Sequence, residues 1–420
     1  MSVTLTETAT ETRKEGAATA GAKPAATVRL SGYIPELDGI RGIAIGMVVF
    51  YHYLVQTSVA ANGTFLWYAL MPGRLGWTGV DFFFVLSGFL IGGILMDARE
   101  SPNYFQVFYR RRFFRIVPIY AVFLAGFFAL VYVNHANAAP RLQWITSRAF
   151  PWYAYAFFLQ NAWMAVNNGW GPPISSISWS LAVEEQFYLT LPWLVRFLNQ
   201  RRLKQVVVEG LLLAPILRIM VFSLWPRLSN AWFVLMPCRA DALLFGVLVA
   251  MAMRDAEWRG WLERRRMTLR VLMVTLAAGI PVLTQMYYVP YGFRTASLGL
   301  TWIAAFYATV LVYALIFPGS KISWCLRIKW LKWLGAIAYG TYLFHQLFLH
   351  VIFGAIWGRA PVVNSKGEFA AAFAALALTL VFCRISWRWF ETPLIEMGHR
   401  TKYASAERVR RSAEDRFGEE

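Results

Sequence analysis

The chain has 420 residues, of which 58% are hydrophobic and only 15% charged, and it carries a formal net charge of +18. A soluble chain of this length holds about a quarter charged residues, so charge this sparse, set between long apolar runs, excludes an ordinary soluble domain and points to a polytopic membrane protein. In such a chain excess Lys and Arg belongs to cytoplasmic loops, and no nucleic-acid partner is implied. Residues 1–32 are Ala, Thr, Glu and Gly with no apolar run; they lack the apolar region of a signal peptide and read as a disordered cytoplasmic tail. Ten apolar segments follow, at about 41–58, 77–96, 113–133, 176–198, 205–225, 231–253, 269–289, 298–317, 333–357 and 368–390. The expected fold is all-α, a bundle of about ten transmembrane helices over 33–398, with a charged, basic cytoplasmic tail at 399–420 lying near anionic lipid headgroups.

Charge placement supports that count. With the N-terminus inside, Arg110, Arg111 and Arg112, then Arg201, Arg202 and Lys204, Arg264, Arg265 and Arg266, Lys329 and Lys332, and Arg410 and Arg411 all fall on the cytoplasmic side. The outer loops hold only scattered cations, such as Arg74, Arg141 and Arg227. The segment 152–165 (WYAYAFFLQNAWMA) is short and rich in Trp and Tyr, and reads as an interfacial or re-entrant piece of the outer loop 134–175. Both termini are then cytoplasmic.

Polar residues inside the spans carry the functional argument. Asp38 and Arg41 open the first span, and His52 lies eleven residues beyond Arg41, about 16 Å along a helix at 1.5 Å per residue and so about half of a 30 Å hydrocarbon core. Asp81 enters its span from outside by about 6 Å, and Glu184 and Glu185 theirs by about 12 Å. Arg239, Asp241 and His345 fall near mid-span. Ionisable groups sharing one slab of the bilayer are expected to face the bundle interior, pair, and line a polar path. A structural ion pair between helices is the alternative reading for Arg239 and Asp241, and a packing histidine for His345 or His52. Adjacent Glu184 and Glu185 point about 100° apart, so one of them faces the site. Arg112 and Arg115, three residues apart, share a helix face. They are either a charge anchor at the membrane surface or a guanidinium fork for a phosphorylated ligand. VLSGFLIGG (85–93) reads as helix packing. Cys238, Cys325 and Cys383 are isolated, so neither a disulfide nor a metal is expected.

Several blocks in order then bring a family into view. ELDGIRGIAIGMVVFYH carries an Arg-x10-His pattern at Arg41 and His52, followed by GVDFFFVLSGFLI and by RRFFRIVP with Arg112 and Arg115. SWSLAVEEQFYL, RADALLFG, YGTYLFH and the closing Glu391-Thr392-Pro393 complete the series. The chain resembles the membrane acyltransferases of family 3, which O-acylate surface polysaccharides, over about Tyr33 to Glu391. The resemblance implies a ten-span domain in the bacterial plasma membrane. It also implies acyl-CoA, usually acetyl-CoA, as cytoplasmic donor and a glycan or lipid-linked sugar hydroxyl as outer acceptor. Some members carry a fused hydrolase-like domain, which is not expected here because the chain ends about thirty residues past Glu391.

On that reading Arg41, Arg112 and Arg115 hold the donor, and His52 is the general base. Glu184 or Glu185 sets its tautomer and stabilises the imidazolium. Asp38, Asp81, Trp179, Arg239, Asp241 and His345 form the surrounding substrate-binding or structural polar groups. An acyl-histidine relay is the rival mechanism. A small lipophilic acceptor such as a macrolide is an alternative substrate. A proton-coupled transporter is the alternative class, although no internal repeat and no pair of glycine- or proline-broken spans is visible.

Overall fold

Every regular element of the computed structural model, which describes residues 33–59, 64–136, 139–284 and 292–404, is helical; an isolated bridge joins Ser58 and Val363. The long helices are α1 (Pro35–Phe50, continuing through a π-helical turn, Tyr51–Val55), α2 (Gly79–Asp97), α3 (Tyr104–His135), α4 (Trp179–Phe197) and α5 (Gln200–Leu224). They continue with α6 (Met236–Arg254), α7 (Arg266–Thr284), α8 (Leu300–Ile316), α9 (Ala338–Trp357) and α10 (Lys366–Ser386). Each corresponds to one of the ten expected segments. Among the described residues, seven stretches, containing α2, α3, α5, α6, α7, α8 and α10, are long and apolar enough to cross a membrane by length and composition. The bent pair Lys329–Ala336 and Ala338–Trp357, turning by 74°, makes an eighth. The remaining two, α1 and α4, are those that carry His52 with Asp38 and Arg41, and Glu184 with Glu185. The residues that make a site also make these helices less apolar.

The segment 152–165 forms two short helices, Trp152–Ala156 and Gln160–Val166, and not a span. They tuck Tyr155, Gln160 and Asn161 into the interior. Gln160 donates to the Ser178 carbonyl at 2.9 Å, and Asn161 donates to the Val234 carbonyl at 3.2 Å. This segment is thus tied to the starts of α4 and α6.

Helices α2 and α6 form the buried centre. A Cβ on Gly88 would lie 1.8 Å from the Leu243 carbonyl oxygen, and one on Gly246 2.0 Å from that of Val85. The two backbones touch because both glycines lack a side chain, which is the helix-packing role expected of VLSGFLIGG. Around this pair stand α1, α4, α5 and α8. On the periphery α5, α7 and α10 expose Leu212, Val274 and Phe373, as helices in contact with lipid do. The beginning of the expected C-terminal tail is docked. Ser101 donates to the Ala404 carbonyl at 2.7 Å, and Arg111 to that of Thr401 at 3.0 Å. Residues 1–32 and 405–420 lie outside the described residues.

Candidate active site

Helix α1 supplies the first cation. Pro35 at its start pre-sets the helical φ, and Glu36 and Asp38 in the first turn complement the helix dipole. Asp38 then accepts from Arg41 at 2.5 Å and from the Tyr33 hydroxyl at 2.7 Å. Burial, reinforced by the Asp38 carboxylate, pushes the Tyr33 hydroxyl up to about 12, so it remains a donor at neutral pH. Asp38 is therefore a tether for Arg41. Glu36, which the sequence reading passed over, anchors the same helix end by accepting from Arg327 at 2.7 Å and from Ser323.

Arg41 opens onto a cavity of roughly 1190 Å³, counting its open part. Arg112 and Arg115 from α3 line it on one face, with Glu184 from α4 and Glu391 from the π-helical turn after α10. Neither Arg112 nor Arg115 forms an ion pair with a described residue. The buried Nε of Arg112 has no hydrogen-bond partner. Glu184 is the member of its pair that faces the cavity, where it and Tyr188 both meet the Ser87 hydroxyl. Glu185 does not line the cavity, and its buried Oε1 has no partner.

A second cavity, roughly 1420 Å³ with its open part, backs onto the first. His52 lines it together with Trp77, Trp170, Trp179, Phe233, Gln56, Gln346 and His350. His52 sits in the π-helical turn Tyr51–Val55, a distortion that commonly marks functional positions in helices. Its Nδ1 lies 3.1 Å from Nε2 of His345 on α9. This corrects the expected carboxylate partner. Glu184 lines the arginine cavity, and the imidazole of His345 occupies the position next to His52.

The histidine pair fixes its own protons. Nδ1 of His345 meets the carbonyls of Thr341 at 3.0 Å and Tyr342 at 2.8 Å. Carbonyls only accept, so His345 Nδ1 carries the proton and Nε2 is an acceptor. His52 Nδ1 must then donate, which leaves His52 Nε2 unprotonated. The Val48 carbonyl one turn back is a further acceptor for the His52 ring. His345 is therefore a packing histidine by its backbone bonds and the tautomer-setting partner by its other nitrogen. Tyr53 locks the two helices by donating to the His345 carbonyl at 2.7 Å.

Asp81, Arg239 and Asp241 lie in a separate buried cluster. Arg239 and Asp241 are two apart on α6 and point to different sides, so they do not pair with each other. Arg239 reaches Asp81 at 2.7 Å, and Asp241 accepts from Arg218 at 2.9 Å. Arg218 also donates to the carbonyls of Ala296 and Cys238 at 2.7 and 2.5 Å. Each of the two therefore takes part in an ion pair between helices, Arg239 with Asp81 and Asp241 with Arg218. Arg218 was missed, although a lone cation in LLLAPILRIMVFSL is the signal that selected Arg239. The Arg239 guanidinium lies 5.4 Å from the Trp179 ring and 4.9 Å from Phe233, behind the aromatic wall of the second cavity. Among the described residues no group of His, Cys, Asp and Glu is arranged to hold a metal.

A family model described as an acyltransferase domain matches residues 34–388. The chain belongs to acyltransferase family 3. Among curated relatives, this chain is 27% identical over 384 residues to the peptidoglycan O-acetyltransferase OatA of Listeria monocytogenes, covering 87% of the present chain and 56% of the relative. It is 25% identical over 386 residues to the O-acetyltransferase OatA of Staphylococcus aureus, covering 87% and 58%. The chain thus spans just over half the length of the curated relatives it matches. No solved structure matches it. This member of family 3 is a multi-pass membrane protein.

Proposed function

We propose that this chain moves an acyl group, acetyl in the first instance, from cytoplasmic acyl-CoA to a hydroxyl of an extracytoplasmic glycan. The observation that carries the reading is the arrangement of the two cavities. One holds Arg112 and Arg115, neither of which forms an ion pair with a described residue. The other holds a histidine whose Nε2 is unprotonated.

Guanidiniums without a carboxylate partner, in a half-buried cleft, suit the phosphates of a nucleotide-bearing donor. Arg112 and Arg115 would hold them, with Arg41 beside. The second cavity suits a sugar. Its tryptophans offer flat apolar faces, and Gln56 and Gln346 offer amide groups to hydroxyls. His52 Nε2 takes the acceptor hydroxyl proton as the oxygen attacks the thioester carbonyl. His345 Nε2 holds the Nδ1 proton, so the ring stays oriented as it becomes imidazolium. As the carbon–sulfur bond breaks, His52 returns the proton to the departing thiolate, and the base is restored. The printed names of the relatives favour peptidoglycan as the acceptor class.

The orientation in the bacterial plasma membrane belongs to the same proposal. Reporter fusions at Thr57, Arg141, Ala256 and Lys366 should read outside, outside, inside and outside. For the activity, the chain in detergent or proteoliposomes is given acetyl-CoA and soluble peptidoglycan fragments. Acetylated product should form, and His52→Ala should lower the rate by about 10²–10⁴, the worth of a general base. Normal turnover by His52→Ala would overturn the assignment.

A further inference from the structure

The two cavities adjoin, sharing part of their lining. Val80 of α2 and Tyr342 of α9 are the residues that line both. The other lining residues belong to one side each, with Arg112 and Glu184 on the first and His52 and Gln346 on the second. If the donor is held at the arginines and the acceptor beside His52, the acyl group must pass between Val80 and Tyr342.

Tyr342 is held across this passage by its hydroxyl. The oxygen lies 2.8 Å from the Ile177 carbonyl and 2.5 Å from Ser180 Oγ. A carbonyl only accepts, so Tyr342 donates to Ile177 and accepts from Ser180. Both partners sit at the entrance to α4, so this latch joins α9 to α4. The ring also stands edge-on to Phe83, 6.5 Å away between centroids. At its other end, the Tyr342 carbonyl accepts the His345 Nδ1 proton that fixes the histidine pair. One residue thus closes the passage with its side chain and orients the base through its backbone.

Two polar contacts at one hydroxyl make a latch that can open. Both are surrendered if the ring swings aside, and each is worth about a typical net hydrogen bond. We propose that Tyr342 is a gate between the donor and acceptor cavities, latched to Ser180 and Ile177, and that its clearance restricts the transferred group to short acyl chains. The proposal rests on the functional reading above. It adds to that reading the residue that separates the two substrates and sets the acyl length.

The test compares acetyl-CoA with butyryl-CoA, reading CoA release with and without soluble peptidoglycan fragments. Tyr342→Ala opens the wall and should raise the butyryl-to-acetyl ratio of kcat/KM by about tenfold or more, the scale on which a pocket discriminates added methylenes. Tyr342→Phe keeps the ring and cuts the latch. It should raise CoA release without acceptor while leaving the acyl preference near that of the unaltered chain. Val80→Ala widens the other half of the wall and should shift acyl preference in the same direction as Tyr342→Ala, which keeps the test decisive if Tyr342→Ala fails to fold. Folded variants at both positions with unchanged acyl preference would overturn the gate alone. An unaltered chain that releases no CoA from either donor would overturn the functional reading, and the gate with it.

Discussion

Two groups of buried or half-buried arginines stand within one bundle, and they are handled in opposite ways. Arg218 and Arg239 are enclosed, and each meets a carboxylate, Asp241 at 2.9 Å and Asp81 at 2.7 Å. Arg112 and Arg115 line a cleft and meet no carboxylate as an ion pair. Residue type and apolar surroundings are shared, and partnership differs. A desolvated charge beside its counter-charge is a structural joint, and its loss strands the partner. A cation held in a cleft without an ion-pair partner keeps a desolvation cost that a bound anion relieves. An ionisable residue in a span marks importance, and its partner tells which kind.

The largest effect should come from breaking a joint. Asp241→Ala strands Arg218 in the interior and should cost about 3–5 kcal/mol of stability, read as a lower melting temperature in detergent or loss of the folded monodisperse species. Replacing both partners, Arg218→Met with Asp241→Leu, should restore most of that loss, because an apolar pair leaves no stranded charge. A double variant no more stable than Asp241→Ala would show that Arg218 does more than pair.

A smaller effect should follow at the histidines. His345→Phe keeps an aromatic ring on α9 and removes the acceptor for His52 Nδ1. The rate constant kcat should fall roughly tenfold to a hundredfold, the range for a group that orients a functional histidine, with KM for the donor unchanged. Glu184→Gln should leave the histidine tautomer alone and act on the donor side. If kcat collapsed in Glu184→Gln while His345→Phe behaved normally, the carboxylate first expected from the sequence would be the true partner.

Much of this was legible in the chain. The ten segments, Arg41 with His52, and Arg112 with Arg115 follow from apolar run length and from charge inside the runs, since a bilayer penalises both irregular backbone and stray charge. Partnership was not legible. Glu184 and His52 were matched on depth, but depth is one coordinate, and the facing of a helix is set by side-chain packing. The π-helical turn Tyr51–Val55 adds a further shift that no 3.6-residue count contains. Trp179 was named only among the substrate-binding or structural groups, and the structure puts it on the wall of the histidine cavity. Tyr342 was invisible as a divider, because a wall between cavities is a property of two helices at once.

The smallest effect concerns the form of the cation. Arg112→Lys should recover only part of the donor affinity lost in Arg112→Ala, because an ammonium is a point charge without the planar fork.

The most direct test of the central claim is a paired measurement on Arg112→Ala and Arg115→Ala, acyl-CoA affinity alongside melting temperature. Each alanine should weaken acyl-CoA binding by about 1.5–3 kcal/mol, the worth of a charge-assisted hydrogen bond. The melting temperature should stay near that of the unaltered chain, since neither arginine forms an ion pair with a described residue. Unchanged acyl-CoA affinity in both variants, with normal folding, would return these arginines to the role of membrane-surface anchors and contradict the account.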